Sequence, residues 1–233
     1  MAKKLLAGTV ASLIAFMPVV ASAGGPTGVS PEPEVDGAMP VATAVDWSGL
    51  YAGLAVAVPM GDNTFTERGV NAEATPGDWE GTSGMLTGGY DWQRNKLVYG
   101  AALDLGFGSI DASGTTSGEY GCGTSCDIAV SSYKALRGRI GYASGSALFY
   151  GTAGIARADA EADFGNDIIA GADTLSGWVA GIGIEYKVSS RLSLDAAYLH
   201  NDLGRLEIPD TCGFECFTDV SFGQFKLGAN FRW

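Results

Sequence analysis

The 233-residue sequence is poor in cysteine, histidine and basic side chains, and it has no long apolar segment after Val20. Four cysteines and one histidine are too few for a core built from disulfides. The 14 Lys and Arg are outnumbered by 26 Asp and Glu, and the net charge of −12 argues against a nucleic-acid partner, which requires clustered basic side chains. A membrane-spanning helix needs roughly 20 apolar residues. A mature chain that crosses a membrane must therefore do so with strands.

The first 23 residues have the composition of an export signal. A pair of lysines precedes a largely apolar stretch, and Ala21-Ser22-Ala23 is an A-x-A cleavage motif. We predict cleavage near Ala23. Residues 24–45 contain four prolines and have no helical or strand period, which predicts a flexible periplasmic linker. The remaining residues, 46–233, suit one all-β domain.

Eight segments of about ten residues show an alternation of apolar and polar side chains, the pattern of strands with two different faces. The 35 glycines and the ten per cent aromatic content agree with a barrel, in which glycine fits crowded interiors and aromatics form interface girdles. The predicted strands are 48–58, 85–93, 97–108, 128–142, 147–158, 175–188, 192–203 and 220–233.

The connections between these segments alternate in length. Those at 94–96, 143–146 and 189–191 are short, whereas those at 59–84, 109–127, 159–174 and 204–219 are long. Short periplasmic turns and long extracellular loops are typical of bacterial outer-membrane barrels. The long connections carry net charges of −4, −3, −5 and −3, which predicts an acidic outer rim.

The two faces of each segment predict which solvent surrounds the barrel. In segment 175–188, Trp178, Ile182 and Ile184 share one face, while Glu185 and Lys187 share the other with glycines. A soluble sandwich or lipocalin-like barrel would fill its interior with the aliphatic face. Here the charges occupy the face that has the glycines, so we predict that the apolar face points outward to lipid. In segment 147–158 every second residue is predicted to face outward, and Arg157 is one of them. Its charge must then lie above the hydrocarbon core of the membrane.

Four motifs in this order resemble the small outer-membrane β-barrel proteins (porin-family, opacity-like) of alphaproteobacteria. They begin at Asp46 (DWSGLYAG), Gly88 (GGYDWQ), Leu136 (LRGRIGYA) and Ser176 (SGWVAGIGIEY). The resemblance covers nearly all of 46–233 and implies an eight-stranded barrel at the cell surface. It also implies the barrel-assembly machinery as a partner, whose signal matches Lys226, Gly228, Phe231 and Trp233. The sequence departs from the family at Ala197, where a second inward carboxylate is frequent.

Because alternate residues of a strand face opposite sides of the sheet, nine charged side chains are predicted to point into the lumen. An eight-stranded barrel is only wide enough for side chains to fill it, and unpaired charges there are costly. We therefore predict that these side chains pair with one another and plug the lumen. They are Asp91, Asp104, Glu185 and Asp195 against Arg137, Arg139, Lys187, Lys226 and Arg232.

Two C-G-x-x-C motifs lie in the second and fourth long connections. Cys122 and Cys126 form one motif, and Cys212 and Cys216 form the other. Their spacing and the oxidising compartment favour one disulfide within each loop. Disulfides between the two loops and a four-cysteine zinc site are the alternatives.

His200, the only histidine, raises the alternative of a lipid A acyl-transfer enzyme. Such a site needs a serine nucleophile next to the imidazole, and no His-x-Ser pattern is present. We therefore expect no enzyme and no cofactor.

The leading hypothesis is a structural and surface protein of the outer membrane, in contact with membrane lipid and lipopolysaccharide. An adhesin or receptor that binds a host or surface ligand through its loops, and a small diffusion porin, are the alternatives. The sequence leaves the oligomeric state open.

Overall fold

The computed structural model describes residues 45–67, 72–114, 126–164, 168–208 and 216–233. The predicted export signal at 1–23 and almost all of the predicted linker at 24–45 lie outside these residues and stay predictions. Within the described ranges no helix is long and apolar enough to cross a membrane.

The described residues form eleven strands, and every pairing between them is antiparallel. The strands are β1 (Gly49–Met60), β2 (Asp62–Glu67), β3 (Ala72–Gly81), β4 (Ser83–Arg94), β5 (Leu97–Phe107), β6 (Ile110–Gly114), β7 (Cys126–Ser144), β8 (Ala147–Phe164), β9 (Ile168–Lys187), β10 (Leu192–Ile208) and β11 (Cys216–Arg232).

Eight of these strands close into a ring. The order around the ring is β1, β4, β5, β7, β8, β9, β10 and β11, and β11 pairs again with β1. Each of the eight predicted segments falls on one ring strand. The prediction of an eight-stranded up-and-down barrel is therefore confirmed.

The turns at one end of the ring are as short as predicted. Two residues, Asn95 and Lys96, join β4 to β5, and Gly145 and Ser146 join β7 to β8. Asn95 has a φ of +59°, a left-handed conformation that asparagine tolerates better than most residues because its side chain can hydrogen-bond locally.

Three strands lie where the sequence predicted loops. β2 and β3 occupy much of 59–84, and β6 lies within 109–127. A glycine with positive φ lies at each junction with a ring strand, namely Gly61 at +105° between β1 and β2, Gly81 at +105° at the end of β3, and Gly108 at +94° after β5. Glycine adopts this conformation without a Cβ penalty, so the chain bends there and pairs with new neighbours. The loop prediction was wrong because such kinks interrupt the alternation.

The other two predicted loops are also mostly strand. β8 continues to Phe164, and β9 begins at Ile168. In the same way β10 continues to Ile208, and β11 begins at Cys216. We call the sheet beyond the membrane-spanning ring the extracellular extension. It consists of β2, β3, β6 and residues 126–131, 158–164, 168–175, 203–208 and 216–220. Within it β11 pairs with β2, β2 with β3, β3 with β6, and β6 with β7.

The face of the sheet that is apolar changes along the barrel axis, from the outer face in the ring to the inner face in the extracellular extension. In the spanning ring the outer face is apolar, with Ile155 66% and Ile182 70% exposed, whereas Asp104 and Glu185 are fully buried inside. In the extracellular extension an apolar core lies inside. Its larger members are Trp79, Ile110, Ile128, Val130, Leu175, Leu203, Leu206 and Val220.

Candidate functional site: the charged interior of the barrel

Eight of the nine predicted lumen charges are at inward positions of the ring strands, and each is at most 7% exposed. Strand alternation places them there, because every second side chain of a barrel strand points inward. They are Asp91 on β4, Asp104 on β5, Arg137 and Arg139 on β7, Glu185 on β9, Asp195 on β10, and Lys226 and Arg232 on β11.

The layer nearer the short turns is a cross of two arginines and two carboxylates. In the ring order, β7 lies opposite β11, and β4 lies opposite β9, so basic and acidic residues alternate around the bore. Arg139 pairs with Asp91 and, at 2.9 Å, with Glu185. Arg232 reaches Asp91 at 2.9 Å and Glu185 at 3.0 Å. Each arginine thus contacts both acids, and the four side chains connect four strands across the lumen.

Neutral groups surround this cross. The Ser193 hydroxyl donates to Glu185 at 2.6 Å, and the Asn230 amide donates to the same carboxylate at 3.1 Å. The ring of Tyr51 lies 4.7 Å from the guanidinium carbons of both Arg139 and Arg232. Buried ions are tolerated when their hydrogen-bonding capacity is satisfied, and these contacts satisfy most of it.

A second layer lies between the cross and the extracellular side. Arg137 pairs with Asp104 at 2.6 Å, and the Lys226 ammonium lies 3.4 Å from Asp195 and 3.9 Å from Asp104. The Tyr150 hydroxyl donates to Asp195 at 2.6 Å. The layer therefore connects β5, β7, β8, β10 and β11 through side chains.

Ala197, at which the sequence is predicted to depart from the family pattern, is buried beside this second layer. It is the cross-strand partner of Lys226 and is 2% exposed. Alanine offers no carboxylate, and the acids that the Lys226 ammonium reaches are Asp195 and Asp104.

A neutral level separates the charges from the apolar core of the extracellular extension. The Tyr133 hydroxyl donates to the side-chain oxygen of Asn201 at 2.7 Å. The side-chain nitrogens of Asn201 and Gln224 are buried and have no hydrogen-bond partner among the described residues. Above them Trp79 packs on Phe222, with ring centroids 5.3 Å apart.

Lys187 is the one predicted lumen charge outside this network. It is only partly buried, and its ammonium donates to the backbone oxygen of Asp46 at the mouth on the short-turn side. The buried interior thus contains four acids and four bases, where the sequence predicted five bases. At the same mouth the Ser48 backbone N–H donates to the Asp46 carboxylate at 2.8 Å and lowers its pKa.

Sequence reasoning missed the aromatic side chains that fill the space between the charges. Tyr51 and Tyr150 are buried, and each lies over a glycine of a neighbouring strand. A Cβ on Gly89 would lie 2.5 Å from the Tyr51 ring, and one on Gly183 would lie 2.5 Å from the Tyr150 ring. An inward tyrosine beside an inward glycine was the signal that could have found them.

His200 is outside the lumen. It alternates with the buried Leu199 and faces outward, and its ring lies 5.4 Å from that of Trp178. In the described part of the chain no serine hydroxyl hydrogen-bonds its imidazole. The arrangement places the histidine in the aromatic belt at the lipid surface.

The predicted disulfides stay predictions. Cys122 and Cys212 lie outside the described residues. Cys126 begins β7 and Cys216 begins β11, both at the far end of the extracellular extension.

The residues of the predicted assembly signal lie on β11 and, for Trp233, directly after it. Lys226 is buried in the lumen, whereas Phe231 is 40% and Trp233 is 67% exposed on the outer face. The two aromatic rings meet edge to face at 5.1 Å.

An apolar exterior around a charged interior, closed by eight antiparallel strands, defines an integral β-barrel of the outer membrane. The family model "Outer membrane protein beta-barrel domain" matches residues 37–232, and the chain belongs to that family. The outer-membrane location predicted from the sequence is confirmed.

The chain is similar to curated outer-membrane proteins and to solved structures of β-barrels. The 31 kDa outer-membrane immunogenic protein of Brucella melitensis is 27% identical over 99% of this chain and 100% of its own length. The 22 kDa outer membrane protein of Rhizobium leguminosarum is 32% identical over 70% of this chain and 67% of its own. The crystal structure of OprG from Pseudomonas aeruginosa has a TM-score of 0.53 at 13% identity, over 80% of this chain and 96% of that one. The likeness to OprG concerns the fold alone.

Proposed function

We propose that this protein is a structural and surface component of the outer membrane whose lumen conducts no solutes. The observation that carries the proposal is the cross formed by Asp91, Arg139, Glu185 and Arg232. Its four ion pairs form a closed circuit that links β4, β7, β9 and β11 across the bore. A solute would have to separate these pairs in a poorly hydrated interior, which is costly.

The extracellular extension adds a second barrier of opposite polarity. Its apolar core lies in the same bore, beyond the charged layers and the neutral level. An ion that passed the charges would then meet a region that offers it few polar contacts, and leaving water for apolar surroundings is strongly unfavourable for an ion.

Conductance across a planar bilayer tests the proposal. The folded mature protein should give no steady current steps at any voltage that the bilayer withstands. A charge-balanced variant, Asp91→Ala with Arg232→Ala, shortens one acid and one base of the cross and serves as the comparison. Steady, ohmic steps from the unsubstituted protein would contradict the proposal and favour the small diffusion porin.

A surface-binding role is the second candidate. The extracellular extension is a sheet with an apolar core at the end of the barrel away from the short turns. In the sequence its strands are connected by residues 68–71, 115–125, 165–167 and 209–215. Connecting segments on a rigid scaffold are where binding specificity is frequently found. Replacing 115–125 and 209–215 with short Gly-Ser linkers leaves the described strands intact. An adhesin would lose whole-cell binding, whereas envelope resistance to detergent would persist.

We also propose that the barrel-assembly machinery recognises the last strand. Phe231 and Trp233 present their rings on the outer face, where a partner has access before membrane insertion. Deleting Trp233 should reduce the heat-modifiable folded form in cells, while refolding of the purified chain into detergent should change little. Equal losses in both settings would assign the tryptophan to stability alone.

A further inference from the structure

Two basic side chains face outward beside each other on the extracellular side of the ring. Lys134 on β7 and Arg157 on β8 are cross-strand partners, and both are exposed. Their neighbours along each strand are buried. Strand alternation therefore places both cations on the lipid-facing side of the sheet.

The residues below this pair fix its height in the membrane. Leu136, Ile155 and Trp178 are successive cross-strand partners on β7, β8 and β9, and they are 54%, 66% and 47% exposed. This row belongs to the apolar belt, and tryptophan is enriched where such a belt meets the headgroups. Lys134 and Arg157 lie two residue pairs beyond it along β7 and β8, at headgroup height.

The two cations lack a counter-ion among the described residues. Neither forms an ion pair with a described carboxylate, and Asp159, the next outward residue of β8, accepts a hydrogen bond from the Thr174 hydroxyl at 2.8 Å. Arg205, by contrast, is an outward cation of the extracellular extension that pairs with Asp219 at 3.2 Å. Like charges directly opposite each other on paired strands are destabilising. An external anion would relieve the repulsion between Lys134 and Arg157.

A groove that could hold an apolar chain lies on the outer face of the same strands, on the short-turn side of the row formed by Leu136, Ile155 and Trp178. Ala101, Gly138, Ala153 and Ala180 are successive cross-strand partners on β5, β7, β8 and β9. These small residues form the floor of an outward-facing groove of about 920 Å³, which Trp178 also lines. The outer surface therefore offers two cations at headgroup height and a groove within the hydrocarbon.

We propose that Lys134 and Arg157 bind a phosphate of lipid A, the phosphorylated glycolipid anchor of lipopolysaccharide, with an acyl chain in the groove. Arginine presents a planar fork that binds phosphate with two hydrogen bonds, and lysine adds a point charge. The inference goes beyond the structural role proposed above. It is independent of whether the lumen conducts, because both side chains lie outside the barrel.

Native mass spectrometry of the full mature chain, folded in detergent, tests the site. The probes are bisphosphorylated lipid A, the same lipid A after enzymatic removal of its phosphates, phosphatidylglycerol and inorganic phosphate. The variant Lys134→Gln with Arg157→Gln should bind bisphosphorylated lipid A about thirtyfold more weakly, since each basic residue at a membrane surface contributes appreciably to anionic lipid binding. Arg205→Gln is the matched control and should bind as the unsubstituted protein does, and Lys134→Arg should retain binding.

Thermal unfolding separates lipid binding from a purely structural role. Without lipid, Lys134→Gln removes the repulsion and should raise or preserve the unfolding temperature, whereas with saturating lipid A it should lower that temperature relative to the unsubstituted protein. The proposal is overturned if the double variant binds lipid A undiminished, or if dephosphorylated lipid A binds equally well. It is also overturned if phosphatidylglycerol or free phosphate binds with the same affinity, or if Lys134→Gln shifts both unfolding temperatures in the same direction.

Discussion

The spanning ring and the extracellular extension use one continuous sheet with opposite polarity. On β8, the ring part places Phe149 and Ile155 outside and Thr152 inside, whereas the extension places Glu161 outside and Ala160 inside. The strand keeps its alternation throughout. The surrounding solvent changes from hydrocarbon to water, and with it the face that can be apolar. The interior is held by ion pairs in one region and by apolar contacts in the other.

Removing one carboxylate of the cross should cause the largest loss of unfolding free energy in either region. Glu185→Ala leaves Arg139 and Arg232 with one acid between them and should cost about 3–5 kcal/mol of unfolding free energy, as is usual when one partner of a buried pair is lost. Denaturant unfolding in detergent, followed by tryptophan fluorescence, measures it. Glu161→Gln, an exposed carboxylate of the extension, should stay within about 0.5 kcal/mol. Similar costs for both would remove the distinction between the regions.

Truncating the apolar core of the extension should have the next largest effect. Leu203 is 1% exposed, and Leu203→Ala should cost about 2–4 kcal/mol because it leaves a cavity. Leu194 on the same strand is 51% exposed toward lipid. Leu194→Ala should cost clearly less in the same unfolding assay, since detergent or lipid fills the space. A larger loss at Leu194 than at Leu203 would contradict an apolar core in the extension.

Filling the space at Gly183 should disturb the second charged layer by a smaller amount. A Cβ there would lie 2.5 Å from the Tyr150 ring and hydroxyl oxygen, so Gly183→Ala should displace the tyrosine from Asp195 and cost about 1–3 kcal/mol. Gly151 on β8 faces lipid, and its nearest contact would be 4.0 Å away. Gly151→Ala should therefore be close to neutral, and an equal loss at both glycines would point to backbone effects alone.

The exposed ion pair of the extension should matter least. Arg205 and Asp219 are 45% and 52% exposed, and such pairs contribute about 0–1 kcal/mol. Asp219→Asn should lower the unfolding free energy by less than about 1 kcal/mol, and the loss should shrink further in high salt. A loss as large as that from Glu185→Ala would show that burial is not what makes the cross important.

The sequence predicted the ring well because lipid and water impose opposite requirements on alternate residues. Glu185 and Ile184 could be assigned to opposite faces from parity alone, and so could Arg139 and Ile140. The same reasoning failed for β2, β3 and β6, because glycine kinks reset the alternation and water on the outside removes the demand for an apolar outer face. Parity also placed Lys187 inward, but its position at the mouth lets its ammonium leave the lumen.

The sequence by itself determined the number of ring strands, their faces and, apart from Lys187, the charges that enter the bore, since these follow from a period of two along each strand. Only the tertiary structure decided which charges meet. Arg139, Asp91 and Glu185 are on three different strands, and their contacts depend on ring closure and on the register between strands. The position of Lys134 beside Arg157 has the same origin, because cross-strand neighbours are set by pairing and not by distance along the chain.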